Sequence, residues 1–118
     1  MFRRKGMQYE RLAENWLENC GLHSLSRNFN CRVGELDLVM LDGPTLVFVE
    51  VRYRANTSFG TPEDTVTRAK QQRVVRAAQI FLQRYPGHAQ RNCRFDVVAI
   101  TGDAERPEVR WIKDAFSA

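Results

Sequence analysis

The sequence predicts a single small α/β domain, residues 1–118, with the element order helix, three strands, helix, two strands (α-β-β-β-α-β-β). Three observations carry this. Apolar residues recur at helical spacing in two segments, an aliphatic-rich pair of strands brackets a Gly-Pro turn, and 118 residues with 43% hydrophobic content allow one core but not two.

From Met7 to Cys20 the apolar residues Tyr9, Leu12, Ala13, Trp16, Leu17 and Cys20 fall at three- and four-residue steps, the pattern of a helix with one buried face, and Gly21 is a natural stop. Leu22 to Asn30, with Leu25 and Phe29 among polar residues, reads as an edge strand. Gly34–Leu41 and Thr45–Arg54 are rich in β-branched and aliphatic residues and flank Asp42-Gly43-Pro44, so they read as a hairpin. Glycine supplies the positive φ and proline the following negative φ of a type II′ turn. Thr61-Pro62-Glu63-Asp64 offers a capping hydroxyl, a first-turn proline and two acids, which predicts a helix from there to about Tyr85. Its buried stripe is Val66, Ala69, Val74, Ala77, Ala78, Phe81, Leu82 and Tyr85, and Pro86-Gly87 ends it. Arg94–Thr101 is a strand, and Glu108–Lys113 a weaker one.

No run of about 18 apolar residues occurs, and the basic start Met1-Phe2-Arg3-Arg4-Lys5-Gly6 leads into an amphipathic segment, so a soluble, cytoplasmic protein without membrane insertion or secretion is expected. The three cysteines, Cys20, Cys31 and Cys93, lack Cys-x-x-Cys spacing, and His23 and His88 stand alone, which argues against a zinc site. Each cysteine is read as a small buried or half-buried side chain. The net charge of +4 is compatible with a polyanionic partner. Its distribution is more informative, because Arg3, Arg4 and Lys5, then Arg52 and Arg54, then Arg68, Lys70, Arg73 and Arg76 form three clusters.

Strand side chains alternate, so Glu35 and Asp37 share one face of their strand and Glu50 and Arg52 one face of theirs. If the turn is centred between Gly43 and Pro44, pairing of Asp42 with Thr45 sets Asp37 opposite Glu50 and Glu35 opposite Arg52. Two readings follow. Strand-face salt bridges, Glu35 with Arg52 and Glu50 with a neighbouring lysine or arginine, would suit a face open to water. Alternatively the facing carboxylates hold Mg²⁺, a hard ion that takes oxygen ligands. Leu46 and Phe48 share the parity of Glu50, which makes that face apolar over most of its length, a setting in which an acid is harder to dismiss as surface charge.

The blocks Gly34-Glu35-Leu36-Asp37-Leu38 and Val47-Phe48-Val49-Glu50-Val51-Arg52-Tyr53-Arg54 resemble the YraN-type family of small bacterial proteins. The resemblance continues through Gly6, Glu10, Gly60-Thr61-Pro62-Glu63, Lys70 and Arg94-Phe95-Asp96-Val97-Val98. That family in turn resembles the archaeal Holliday-junction resolvases and the PD-(D/E)xK nucleases. The resemblance implies a restriction-endonuclease-like core, a mixed central sheet with flanking helices. It also implies that Asp37 and Glu50 are metal ligands with the Val51 carbonyl as a third, and that Arg52 occupies the position of the motif lysine. Glu10 would be a further ligand or would hold a water, although a solvated helix face also accounts for it. Glu35 is a weaker candidate. Leu36 stands where the motif is named for proline. Arg52 keeps the positive charge but has too high a pKa to act as a general base.

The function that follows is a Mg²⁺-dependent, structure-selective DNA endonuclease, with Mn²⁺ as a substitute ion, Asp37, Glu50, Arg52 and Glu10 as catalytic residues, and Arg54, Arg68, Lys70, Arg73 and Arg76 on flanking phosphates. A solvated helix face or loop explains those five basic residues equally well. No aromatic base-stacking platform is evident, since Phe59 is the only aromatic in the loop and the parity of Tyr53 points it away from the acids. Branched DNA is the expected partner, and the likeness to resolvases implies a homodimer. A non-catalytic nucleic-acid-binding or partner-binding module on the same fold is the alternative.

Overall fold

The computed structural model describes residues 2–103 and 105–118. The side chains of the amino-terminal basic cluster, Arg3, Arg4 and Lys5, lie outside the described residues. Helix α1 (Phe2–Asn19) is followed by strands β1 (His23–Cys31), β2 (Gly34–Asp42) and β3 (Thr45–Arg54), a 3-10 turn (Pro62–Thr65), helix α2 (Arg68–Arg84), a second 3-10 turn (Pro86–His88), and strands β4 (Cys93–Thr101) and β5 (Glu108–Phe116). The strands form one sheet in the order β1-β2-β3-β4-β5. All neighbours are antiparallel except β3 and β4, which are parallel and joined by the α2 crossover. The mixed sheet, its flanking helices and the order α-β-β-β-α-β-β are those the sequence predicts.

β3 lies at the centre and is buried on both faces. Val47, Val49 and Val51 join Tyr9, Ala13 and Leu17 of α1 in one apolar cluster. Leu46 and Phe48 join Val74, Ala77, Ala78 and Phe81 of α2 in the other. A near-continuous aliphatic run is what a strand covered on both sides requires. The hairpin turn is the predicted one: Asp42 pairs with Thr45, and Gly43 takes φ +58°. Glycine meets that conformation without the steric cost any other residue would carry.

Three expectations are corrected. The helix predicted from Thr61 to Tyr85 is split. Thr61 and Asp64 form a short capped turn, in which the Thr61 N–H donates to Asp64 Oδ2 at 3.0 Å. The chain then breaks at Val66-Thr67, and Thr67 caps α2 by accepting the Lys70 N–H at 3.3 Å. Two capping residues six apart start two elements, and the new phase leaves Ala69 and Tyr85 exposed instead of in the buried stripe. The cysteine expectation also fails in part: Cys31, although it ends β1, packs against the α2-side apolar cluster and is half-buried, whereas Cys20 just past α1 and Cys93 at the start of β4 join neither cluster and are exposed. Finally, α1 begins at Phe2, earlier than the apolar periodicity indicates. No helix among the described residues is long and apolar enough to cross a membrane.

Candidate metal and nucleic-acid site

The β2–β3 ladder runs from Asp42–Thr45 to Leu38–Val49 and ends there. One step further its register sets Asp37 across from Glu50, as the turn predicts, but the strands have begun to part. The Asp37 carboxylate fills the gap: its Oδ2 accepts the Val51 N–H at 2.9 Å. β2 twists at the same point, with Leu36 packing on the α2 side of the sheet and Leu38 on the α1 side. Asp37 therefore stands where the two faces of the sheet meet, accessible to groups from both helices.

Two concavities open on it. One, of about 420 Å³, is lined by Tyr9 and Glu10 of α1 with Glu35, Asp37, Val51, Arg52, Tyr53 and Thr65. The other, of about 230 Å³, is lined by Gly34, Glu35, Asp37, Glu50 and Arg52 with Lys70, Arg73 and Val74 of α2. Glu35, Asp37 and Arg52 border both.

The acids are poorly solvated. Asp37 is 7% and Glu50 2% exposed. Glu50 Oε1 accepts from Arg52 Nη2 at 3.2 Å, whereas Glu50 Oε2 is buried without a hydrogen-bond partner among the described residues. Glu10, Glu35 and Asp37 each place a carboxylate oxygen within 4.8 Å of the others. Burial, then the charge of Asp37, pushes the Glu50 carboxyl up to about 8. Burial, then Asp37 and Glu35, pushes Glu10 up to about 7. Asp37 is raised by burial, and the Val51 N–H and Arg52 oppose the shift. Lys70 is held below the usual lysine range by burial and by the charge of Arg52. Converging acids that resist ionisation mark a place where an added cation would be strongly favoured.

The residues fit a divalent ion on this ground. Glu10, Glu35 and Asp37 converge as hard oxygen donors, Glu50 beside them keeps one oxygen without a hydrogen-bond partner among the described residues although Arg52 pairs with the other, and the main chain of Val51 is already tied to Asp37. The strand-face salt-bridge reading holds in part, since Glu50 does pair with a neighbouring arginine, and is corrected in its open face and in its Glu35–Arg52 pair. The face around Glu50 is closed, and Arg52 pairs with Glu50 on its own strand rather than with Glu35.

Lys70 and Arg73 reach the site from α2, which brings two of the predicted basic residues together with the acids. Arg54 is half-buried, with Nε lacking a hydrogen-bond partner among the described residues, and lines neither concavity. Arg68 and Arg76 line a separate cleft with Gln79 and Phe116. The parity argument misplaces Tyr53: it borders the acids and stacks on Tyr9, ring centroids 3.9 Å apart and planes 12° from parallel. Its hydroxyl donates to the Gly102 carbonyl at 2.6 Å. Parity fails because the site opens on both faces of the sheet. Tyr9 precedes Glu10 on the face of α1 that turns toward β3, a position its place in the apolar stripe could have flagged.

Fold and site thus define an α/β protein that carries a largely buried acidic centre between two helices on a mixed sheet. A family model described as "Uncharacterised protein family UPF0102" matches residues 9–100. The chain is 50% identical over 113 residues to a UPF0102 protein of Stutzerimonas stutzeri, covering 96% of this chain and 94% of the relative. A UPF0102 protein of Nitrosococcus oceani is 48% identical over 114 residues, covering 97% and 92% of the two chains. One of Aeromonas hydrophila is 49% identical over 113 residues, covering 95% and 84%. The protein belongs to the UPF0102 family, the YraN-type family its motifs resemble.

Proposed function

We propose that this protein is a Mg²⁺-dependent endonuclease acting on branched or otherwise distorted DNA, with Mn²⁺ able to replace Mg²⁺. One observation carries the reading: a buried Glu50 oxygen without a partner lies across from a buried Asp37, in a cleft that also admits basic side chains. Such a pair is unfavourable in an apo fold and useful beside phosphate.

Asp37 and Glu50, with the Val51 carbonyl, would hold the ion, and Glu10 would complete its surroundings from α1. When bound, a divalent ion supplies Lewis acidity toward a phosphate oxygen and lowers the pKa of water. Glu10, pushed up to about 7, is suited to hold and accept a proton from a water near neutral pH. Arg52 cannot surrender its proton, so its part is electrostatic, countering charge that builds on the phosphate. Lys70 and Arg73 orient the strand by contact with its phosphates, with Arg54 beyond them. A symmetric junction presents two bonds to be cut, so the working form would be a homodimer. The resemblance to resolvases and the lack of cysteine pairing fit a cytoplasmic setting.

The second reading, a nucleic-acid-binding module without catalysis, draws on the Arg52–Glu50 ion pair, which occupies one of the acid's oxygens. The experiment that separates them is cleavage of labelled single-stranded, duplex, flap and four-way-junction DNA in Mg²⁺ and Mn²⁺, beside Asp37→Ala and Glu50→Ala proteins. Metal-dependent cutting that both variants lose supports the nuclease. Binding of junctions without cutting transfers the assignment to the module, and absence of binding removes both.

A further inference from the structure

Phe59 is 90% exposed, more than any other large apolar side chain among the described residues. It contributes nothing to either apolar cluster. A lone exposed aromatic is unremarkable by itself; its placement is what matters. The loop 55–60 leaves β3 just after Arg52 and Tyr53, which line the acidic cleft, and leads back to Thr65 and Lys70, which also line it. Both ends of the loop are therefore anchored at the site.

Its conformation is held by local bonds. The Ser58 N–H donates to Asn56 Oδ1 at 3.1 Å, and the Gly60 N–H to the Thr57 carbonyl at 3.3 Å. Gly60 adopts φ +124°, which side-chain-bearing residues rarely do. Asp64 ties the far end through the Thr61 N–H. Five residues of chain from Arg54 place Phe59 at most about 17 Å from the end of β3. Glu50 lies four residues further back in β3, so the chain allows at most about 30 Å between Phe59 and Glu50, roughly nine base steps at about 3.4 Å per step.

We infer that Phe59 is the residue that selects distorted nucleic acid, by stacking on a base left unpaired beside the acidic site. The inference rests on the nucleic-acid reading above and adds the source of its selectivity. Every base has an aromatic face that a phenyl ring can cover, and an apolar wedge holds a strand open where stacking is already broken. An intact duplex keeps those faces covered and must be unstacked first, whereas a branch or flap offers them at once. Phe59 thereby discriminates by shape, without reading sequence, while the charge of Lys70 and Arg73 serves both kinds of DNA.

The test measures binding of the full chain, in EDTA so that nothing is cut, to a four-way junction and to a linear duplex. Each DNA carries 2-aminopurine, whose fluorescence rises on unstacking, at successive positions up to about nine steps from the branch or from the duplex centre. The wild type is expected to prefer the junction and to brighten its probe. Phe59→Ala is expected to lower the junction-to-duplex affinity ratio about tenfold, the scale of one lost base–aromatic stack, and to abolish the fluorescence rise. Phe59→Trp is expected to restore both. An unchanged ratio in Phe59→Ala, or a Trp variant as impaired as the Ala variant, overturns the inference while DNA binding stands. Equal wild-type affinity for the two DNAs overturns it too. A wild type that binds neither DNA removes the nucleic-acid reading itself.

Discussion

The Asp37 carboxylate accepts the Val51 N–H at 2.9 Å at the point where β2 and β3 stop pairing through their backbones. One side chain thus closes the sheet and presents a carboxylate to the cleft, and substitutions can separate the two tasks. Asp37→Asn keeps an oxygen for the Val51 N–H but loses the charge. Asp37→Ala leaves that buried N–H unpaired, at a cost of about 1–3 kcal/mol. In a thermal melt, an ion at ten times its Kd should stabilise the wild type by about 1.4 kcal/mol, roughly 5 °C for a chain of this size. Asp37→Asn should melt near the metal-free wild type and fail to respond to Mg²⁺ or Mn²⁺; Asp37→Ala should melt lower still. A full metal response in Asp37→Asn would rule Asp37 out as a ligand.

The acids also set a pH dependence. Glu50 titrates at about 8 and Glu10 at about 7 in the fold, both above the ordinary glutamate value of 4.5 that the unfolded chain retains. The folded state binds these protons more tightly, so their contribution to stability is complete below about pH 4.5 and is lost as pH rises through 7 and then 8. The metal-free melting temperature should therefore fall between about pH 4.5 and pH 8 and level off above. Glu50→Gln should flatten the upper part of that fall and be more stable than wild type at the alkaline end. Stabilisation by Mg²⁺ should grow over the same window, because the ion competes with these protons. A metal-free melting temperature that rises with pH across it would contradict the assignment of buried, reluctant acids.

How far the sequence could foresee this site depends on the range over which each signal acts. Gly43-Pro44 fixes the hairpin register locally, and with it the opposition of Asp37 and Glu50. The hydrophobic runs of β2 and β3 give the central strands for the same reason. The split of the second helix is missed because Thr61 and Thr67 are both competent caps, and only the packing of Val66 decides that the chain restarts at the second. Tyr53 and Lys70 depend on longer-range geometry. Alternation within a strand cannot report that the sheet opens at Asp37, nor can helical periodicity report which turn of α2 overhangs it. The burial of Asp96 is equally silent, since its partners come from two strands and a bulge.

Asp96 has no exposed surface and lies in β4. It accepts from Arg94 Nε and Nη2, from Trp111 Nε1 and from the Asp114 N–H, the last at a residue with φ +53° where β5 departs from regular pairing. A buried carboxylate with four donors clamps the edge strand. Asp96→Ala should cost about 3–5 kcal/mol in chemical denaturation, because it leaves the Trp111 indole N–H and the Asp114 N–H without their acceptor and the part-buried Arg94 guanidinium with Asp42 alone. Trp111→Phe, which removes one neutral donor and keeps the ring packing, should cost about 1–2 kcal/mol. The Mg²⁺-induced shift in melting temperature should survive Trp111→Phe. An Asp96→Ala protein as stable as wild type would remove Asp96 from its place as the clamp.

The division among basic residues gives the last prediction. Lys70 and Arg73 share a concavity with Asp37 and Glu50, while Arg68, two residues before Lys70 and five before Arg73, faces a different cleft beside Gln79 and Phe116. Each phosphate contact made by a lysine or arginine contributes about 0.9 to the slope of log affinity against log salt on duplex DNA. Lys70→Ala and Arg73→Ala should therefore each weaken DNA binding and reduce that slope by about one, whichever sequence is used. Arg68→Ala should leave the slope within its error. A titration of fluorescent duplex from low to moderate KCl, in EDTA, reads the slopes directly. If Arg68→Ala reduced the slope and Lys70→Ala did not, DNA would lie along the outer face of α2, and the acidic cleft would not be where the strand passes.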